Sequence, residues 1–359
     1  MKQLTILHID FEKTWRGGQQ QLFWLVEGLE KRGHRNFVLC QPKSALSIKL
    51  RENYFNIKMF FEFDPFAIYK TAKIIDKIMP DIVHLHSAHA HTIGLMASKI
   101  ASHKPKTVSA RRVDFHIKSL WKYKSVDRII AISDGVKKVL LEDGISNEKI
   151  SVVHSGVDFS RFLNIRGNYL YDELKIDKND NVVGIVASLA PHKDIENFLQ
   201  AAAIIKKKLP NMKFLIVGEG KLKNDLMRFT DKLKISDSVI FTGFRTDVPQ
   251  LLSIFDVFVL SSYLEGLCTS IIDAMVSGIA IVATNVGGVG ELVDDGSTGF
   301  LVPPRNPEIL AEKTVEVLTD ENLRRKFSQN SRIKVKNFSK EKMIEDTEKV
   351  YLEINDARV

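Results

Sequence analysis

The sequence predicts an α/β protein of two doubly wound lobes facing across a cleft. Three observations lead there. Short apolar strands alternate with amphipathic helices over most of the chain, the alternation restarts after a polar stretch, and 359 residues exceed what one core usually supports. At 44% apolar and 27% charged residues, the chain can bury two sizeable cores.

In the first half, "LTILHI" (4–9), "RNFVLC" (35–40), "DIVHLH" (81–86), "KTVSA" (106–110) and "RIIAIS" (128–133) read as strands. They are nearly continuous in apolar residues, which suits a parallel sheet covered on both faces. A helix from about Gly18 to Lys31 follows the first strand and stops at Gly33. "YKTAKIIDKIMP" sets Ala72, Ile75 and Met79 on one face and Lys70, Lys73 and Lys77 away from it; this reads as a core-facing helix, with a membrane-surface helix as the alternative. The polar "LNIRGNYLYDELKIDKNDN" (163–181) marks the domain boundary. Strands resume with "VVGIVASL" (182–189), "KFLIVGEG" (213–220), "SVIFTGF" (238–244), "VFVLSS" (257–262) and "AIVATN" (280–285), and a last helix begins near 340. The expected lobes are therefore 1–165 and 175–335, with the helix of 340–359 packing back on the first.

Charge is uneven. Residues 1–165 hold 26 Lys+Arg against 16 Asp+Glu, a balance of +10 that leaves −2 for the rest of a chain at +8. Such an excess attracts phosphates, anionic headgroups or nucleic acid without distinguishing them. No motif supports nucleic acid. Cys40 and Cys268 form no framework or Cys-x-x-Cys pair, which fits a reducing cytosol, and neither a signal peptide nor a membrane span is expected.

Chemistry concentrates in "SSYLEGLCTSIIDAMVSGIAIVATNVGGVGEL" (261–292). A strand ends, a glycine-containing loop carries Glu265, and a helix starts that Thr269 and Ser270 can cap and Gly278 can end. Its N-terminus would face the carboxyl end of the sheet, where free N–H groups suit a diphosphate and Gly266 allows close approach. Glu265 and Asp273 suit sugar hydroxyls, so the ligand implied is a sugar on a nucleoside diphosphate. For Asp273, simple complementation of the helix dipole stays open. "HLHSAHAH" places His84, His86, His89 and His91 in a spacing that invites a metal site, yet nothing completes one; cleft-lining, core or surface histidines are the other readings, and no metal is expected. "SLWKYK" (119–124) mixes aromatics with lysines as membrane-interface surfaces do, or as a packed connector does.

Together, "EGLCTSIIDAMVSGIAIVATNVGGVGELVDDGSTGFLVPP", "RGGQQQLFWLVEGLEKRGH", "DRIIAISDGVKKVL", "VVHSGVDFSRF", "FLIVGEG" and "FTGFRTDV" resemble retaining glycosyltransferases of family 4, with the GT-B fold of two Rossmann-like lobes. The resemblance covers nearly the whole chain. It implies that Glu265 contacts the donor sugar, with the backbone of Gly266, Leu267 and Cys268 near sugar and phosphates. Asp273 would hold the ribose, Phe244 and Arg245 would border the base, and Lys193 would neutralise the leaving diphosphate. Gly17 and Gly18 would bring the first lobe's backbone to the phosphates. Three positions depart from the family: Asp273 replaces a glutamate, Ser188 stands where an arginine is usual, and Arg111 stands at a histidine's place. Arg111, Arg112 or Arg16 would supply the charge missing at Ser188.

The expected activity is transfer of a sugar from a nucleoside-diphosphate sugar, without metal or other cofactor, to a glycan or lipid-linked acceptor in surface polysaccharide or lipopolysaccharide synthesis. Lys193 and Glu265 would be catalytic. Trp15, Arg16, His86, Arg111 and Arg112 would meet the acceptor. Cytoplasmic placement with peripheral contact to an anionic membrane is expected. A donor-binding module without turnover and a GT-B epimerase are the alternatives.

Overall fold

The computed structural model describes residues 2–357. Two compact units result: residues 1–156 with 340–359, and residues 157–339. The first holds a seven-stranded parallel sheet of β1 (Thr5–Asp10), β2 (Arg35–Cys40), β3 (Tyr54–Asn56), β4 (Ile82–Leu85), β5 (Lys106–Arg111), β6 (Arg128–Ala131) and β7 (Ile150–Val152), in the order β3-β2-β1-β4-β5-β6-β7. The second holds six parallel strands, β8 (Asn181–Val186), β9 (Met212–Val217), β10 (Val239–Gly243), β11 (Val257–Leu260), β12 (Ala280–Thr284) and β13 (Gly299–Val302), ordered β10-β9-β8-β11-β12-β13. Strand order reverses between β1 and β4 and between β8 and β11, and α/β sheets take ligands beyond the strand ends at such points. The central strands are buried on both faces, as their continuous apolar runs require.

Three edge strands, β3, β7 and β13, lack a signal in the sequence because they are only three or four residues long. The division at residue 157 falls before the polar stretch, which folds into the short helix Tyr169–Glu173 and turns within the second unit. Helix Lys340–Asp356 lies on helix Gly17–Lys31, where Gly28 leaves room for Ile344: a Cβ there would sit 2.2 Å from its Cδ1. Met79 corrects one expectation. The lysine-faced helix is Pro65–Ile78, and Met79 is its C-cap with φ of 47°, 63% exposed, so the core face is Ala67, Thr71, Ala72 and Ile75.

The strand ends of the second unit are pressed together. Gly218, with φ of 142°, follows β9, and a Cβ there would meet the Ala187 carbonyl oxygen at 1.9 Å. Backbone cannot yield as a side chain can. Gly218→Ala should therefore cost about 2–6 kcal/mol, combining overpacking and positive-φ strain of about 1–3 kcal/mol each. Urea unfolding of the two proteins measures it; a cost under about 1 kcal/mol would show that the loops slide apart.

Candidate active site

The second unit's switch point is polar where its strands end. β8 leads through exposed Ser188 to the turn Pro191–Lys193, and β11 leads through Ser261 and Ser262 to Glu265. Cross-links hold the two loops in register: Ser261 Oγ donates to the Lys193 carbonyl at 3.0 Å, and Tyr263 N to the His192 carbonyl at 3.0 Å. Lys193 Nζ forms an ion pair with Glu265 Oε1, which also accepts from Ser262 Oγ at 2.7 Å. Glu265 is buried, and the Lys193 side chain keeps 17% of its exposure. The cation expected at the phosphates and the acid expected at the sugar are thus in direct contact.

The loop Gly266–Cys268 opens the helix Thr269–Ser277. Cys268 is its N-cap in the left-handed region, φ 63°, and no side chain caps the helix. This corrects the expectation for Thr269 and Ser270, since Thr269 is already the first helical residue. An uncapped first turn leaves its partial positive charge for an anionic partner. Burial, and then the Glu265 carboxylate, push the Cys268 thiol up to about 11, so it stays neutral. Leu267 is buried, which holds the loop against the core.

Asp273 lies one turn further. The residue is partly exposed, but its Oδ1 is sealed from solvent with no hydrogen-bond partner. Burial raises its carboxyl to about 6 against the opposing pull of Arg161. A carboxylate oxygen desolvated without compensation is unfavourable, and a hydrogen-bond donor reaching it would relieve that cost. Arg245 is committed elsewhere: its guanidinium bridges Asp247 at 2.8 and 2.6 Å and Glu173 at 2.5 Å, which raises its pKa. Phe244 beside it is 75% exposed, so at this turn the free face is the ring.

In the first unit, Gly17 and Gly18 begin helix Gly17–Lys31 after Arg16, whose N–H donates to Gln19 Oε1 at 3.2 Å. A Cβ on Gly18 would lie 3.5 Å from Arg112 Nη1. Arg112 donates to the His86 carbonyl at 3.0 Å and to His86 Nδ1 at 3.1 Å. Because arginine only donates, His86 Nδ1 accepts and its Nε2–H donates to His8 Nδ1 at 3.0 Å; His8 Nε2–H then donates to Asn36 Oδ1 at 3.1 Å. Burial holds His8, at about 4, and His84 and His86 neutral, with the Arg112 charge also lowering the last two. His86 is buried with both ring nitrogens engaged, one by Arg112 and one by His8, so its imidazole is not open to solvent. His8, His84 and His86 cluster closely enough to hold an ion, but the adjacent guanidinium opposes a cation. Trp15 packs against Phe23 under Lys49, and Arg111 bonds Tyr123 Oη at 3.0 Å and the Phe115 carbonyl.

Comparison with known proteins decides the family. Residues 170–334 match the model for glycosyl transferases group 1, and residues 15–161 match the one for glycosyltransferase family 4. The chain is a family 4 glycosyltransferase. It is 28% identical to the UDP-Gal:alpha-D-GlcNAc-diphosphoundecaprenol alpha-1,3-galactosyltransferase of Escherichia coli, covering 79% of this chain and 78% of that one. It is 27% identical to the N,N'-diacetylbacillosaminyl-diphospho-undecaprenol alpha-1,3-N-acetylgalactosaminyltransferase of Campylobacter jejuni, covering 86% and 88%. Among GT-B structures, Anabaena HepE in complex with UDP-glucose matches with a TM-score of 0.84 at 21% identity, over 97% of this chain and 99% of that one. This glycosyltransferase therefore has the GT-B fold, and the names of these two enzyme relatives give diphosphoundecaprenol-linked acceptors.

Ser262 and Arg161 are the contributors that sequence reasoning missed. Ser262 looks like the tail of a strand, and Arg161 has no sequence signal linking it to Asp273. A pH test follows from Asp273. Its folded-state carboxyl titrates at about 6, above its ordinary 3.8, so the fold loses stability as pH rises through that window, and the whole penalty is present above it. Asp273→Asn should therefore stabilise the ligand-free enzyme by about 1–3 kcal/mol at pH 7.5 and by little at pH 4. Melting curves at the two pH values check this. A destabilised Asn variant at pH 7.5 would mean that the charge serves only the helix dipole.

Proposed function

We propose that this glycosyltransferase takes a sugar from a nucleoside-diphosphate sugar, of the UDP class, and transfers it with retention and without a metal to a lipid-linked glycan. Its place is surface-glycan synthesis at the inner face of the cytoplasmic membrane. The observation that carries the reading is the Lys193–Glu265 pair at the head of the uncapped helix Thr269–Ser277, with the unsatisfied oxygen of Asp273 one turn away. The UDP class is supported by the galactosyltransferase relative's name and by HepE's bound UDP-glucose; the lipid acceptor is supported by both diphosphoundecaprenol relatives. The basic first unit supports peripheral contact with anionic lipid.

In this reading Asp273 accepts hydrogen bonds from the ribose, and Glu265 from the donor sugar, sharing its second oxygen's charge with Lys193. The sugar C1–O bond to the diphosphate breaks, the acceptor oxygen bonds C1 from the same face, and its proton leaves with the diphosphate. Negative charge grows on the leaving diphosphate, where Lys193 and the helix N-terminus oppose it at no reorganisation cost. Within the first unit, Arg112 is oriented by His86.

Lys193→Ala under saturating UDP-sugar should lower kcat by about 10²- to 10³-fold, the usual effect of one such donor. Unchanged kcat would remove Lys193 from the mechanism. EDTA should leave the rate intact, and proton NMR of early product should show the donor's anomeric configuration; strict dependence on Mg²⁺ or an inverted product would overturn those parts of the reading. If Asp273 binds as a carboxylate, UDP affinity should fall about tenfold for each pH unit below about 6 and be flat above it. Calorimetric titration of UDP between pH 4.5 and 8 reads this directly, and a flat profile throughout would take Asp273 out of the site.

A further inference from the structure

The first unit carries a concentration of aromatic side chains that its core does not use. Among the described residues, Phe60, Phe61, Phe63, Phe66 and Tyr69 are 51–67% exposed, and Trp121 is 40% exposed. Five of them fall within the ten residues 60–69, and the sixth is joined to that segment by a ring contact. Phe63 stacks on Trp121 with ring centroids 6.4 Å apart, joining the loop before helix Pro65–Ile78 to helix Leu120–Ser125. Exposed apolar groups this dense mark a binding surface, because scattered single ones are the norm.

Charge says what kind of partner fits. Exposed lysines sit on the rings: Lys58 lies 4.7 Å from the centroid of Phe60, Lys70 4.3 Å from Phe66, Lys73 5.6 Å from Tyr69 and Lys99 5.9 Å from Trp121. The two acids of the same segment are both engaged, one buried and one half-exposed but neutralised by a lysine. Asp64 is buried, accepting from the N–H groups of Phe60, Phe66 and Ala67, while Glu62 pairs with Lys122 and accepts from Thr92 Oγ1. What faces outward is thus apolar rings rimmed by cations. Four of the six rings are phenylalanines, which have no polar group for a glycan or peptide to bond, whereas the two with polar tips, Tyr69 and Trp121, suit a headgroup boundary.

We infer that the surface formed by Phe60, Phe61, Phe63, Phe66, Tyr69 and Trp121 docks onto an anionic phospholipid membrane, its rings entering the headgroup–acyl boundary and its lysines meeting lipid phosphates. This rests on the peripheral contact proposed above and gives it a surface. It also separates two roles for the basic excess: these lysines hold lipid, while Arg112 is tied to His86 and Arg111 to Tyr123 and the Phe115 carbonyl. No helix among the described residues is long and apolar enough to cross a membrane, so attachment through this surface is interfacial.

The test is sedimentation of the full chain with vesicles of pure phosphatidylcholine and of phosphatidylcholine with phosphatidylglycerol, at low salt. The wild type should partition at least tenfold better onto the anionic vesicles, with a blue shift of Trp emission that Trp121→Phe removes. The triple variant Phe60→Ser, Phe61→Ser, Phe66→Ser should lose at least tenfold in partitioning while keeping its melting temperature and its UDP affinity, since these side chains are exposed. If the wild type binds anionic vesicles and the folded triple variant binds equally, the surface is wrong while peripheral contact stands. If the wild type binds no vesicle, both fall. A concentration-dependent dimer in vesicle-free solution that the triple variant abolishes would make the occupant a second copy and overturn the inference.

Discussion

The site of the second unit depends on one ion pair, Lys193 to Glu265, held across the reversal point of its sheet. Two opposite charges with little solvent contact attract strongly, but each has lost hydration, so neither is comfortable without the other. The surrounding backbone makes the pairing unavoidable: hydroxyls of Ser261 and Ser262 and the N–H of Tyr263 clamp the two loops together. On the proposed function, a donor entering beside this pair would meet a cation and an anion already oriented. The sealed Oδ1 of Asp273 extends the same logic, because it is an unfavourable state that a hydrogen-bond donor would relieve.

The strand-end cluster of the first unit solves the opposite problem. There a cation, Arg112, is held by neutral groups, the carbonyl and imidazole of His86. Its donors dictate the tautomer of His86, which dictates that of His8, and the chain ends on Asn36. Buried imidazoles with depressed pKa values stay neutral and leave the guanidinium's charge undiminished. The aromatic and lysine surface of the same unit works outward, through exposed rings rather than buried ones. One unit thus keeps its ordered charge and its sticky surface on different elements.

Much of this architecture is legible in the residue pattern. Near-continuous apolar strands separated by helices can bury themselves only in parallel sheets, and the restart of the pattern requires two of them. Only the three- and four-residue edge strands escape, because so short a segment pairs by proximity rather than by pattern. Glu265 and Asp273 stand out because acids beside a glycine loop and a helix start carry a chemical meaning. Ser262 does not, because a hydroxyl at a strand end is ordinary until its partner is known, and Met79 misleads because helical spacing says nothing about where a helix stops.

Sequence by itself determined the periodicity, the glycines that permit Gly218 to touch Ala187, and the placing of Lys193 and Glu265 after particular strands. These are properties of local chain chemistry and order. Tertiary structure alone decided that Lys193 and Glu265 share a bond, that Asp273 Oδ1 has none, that Arg245 is spent on Asp247 and Glu173, and that Phe63 meets Trp121. Each depends on where side chains arrive once the chain has folded, because hydrogen bonds and ion pairs form only within a few ångströms. Pattern reports which residues face a core; it does not report which of them arrive at the same point.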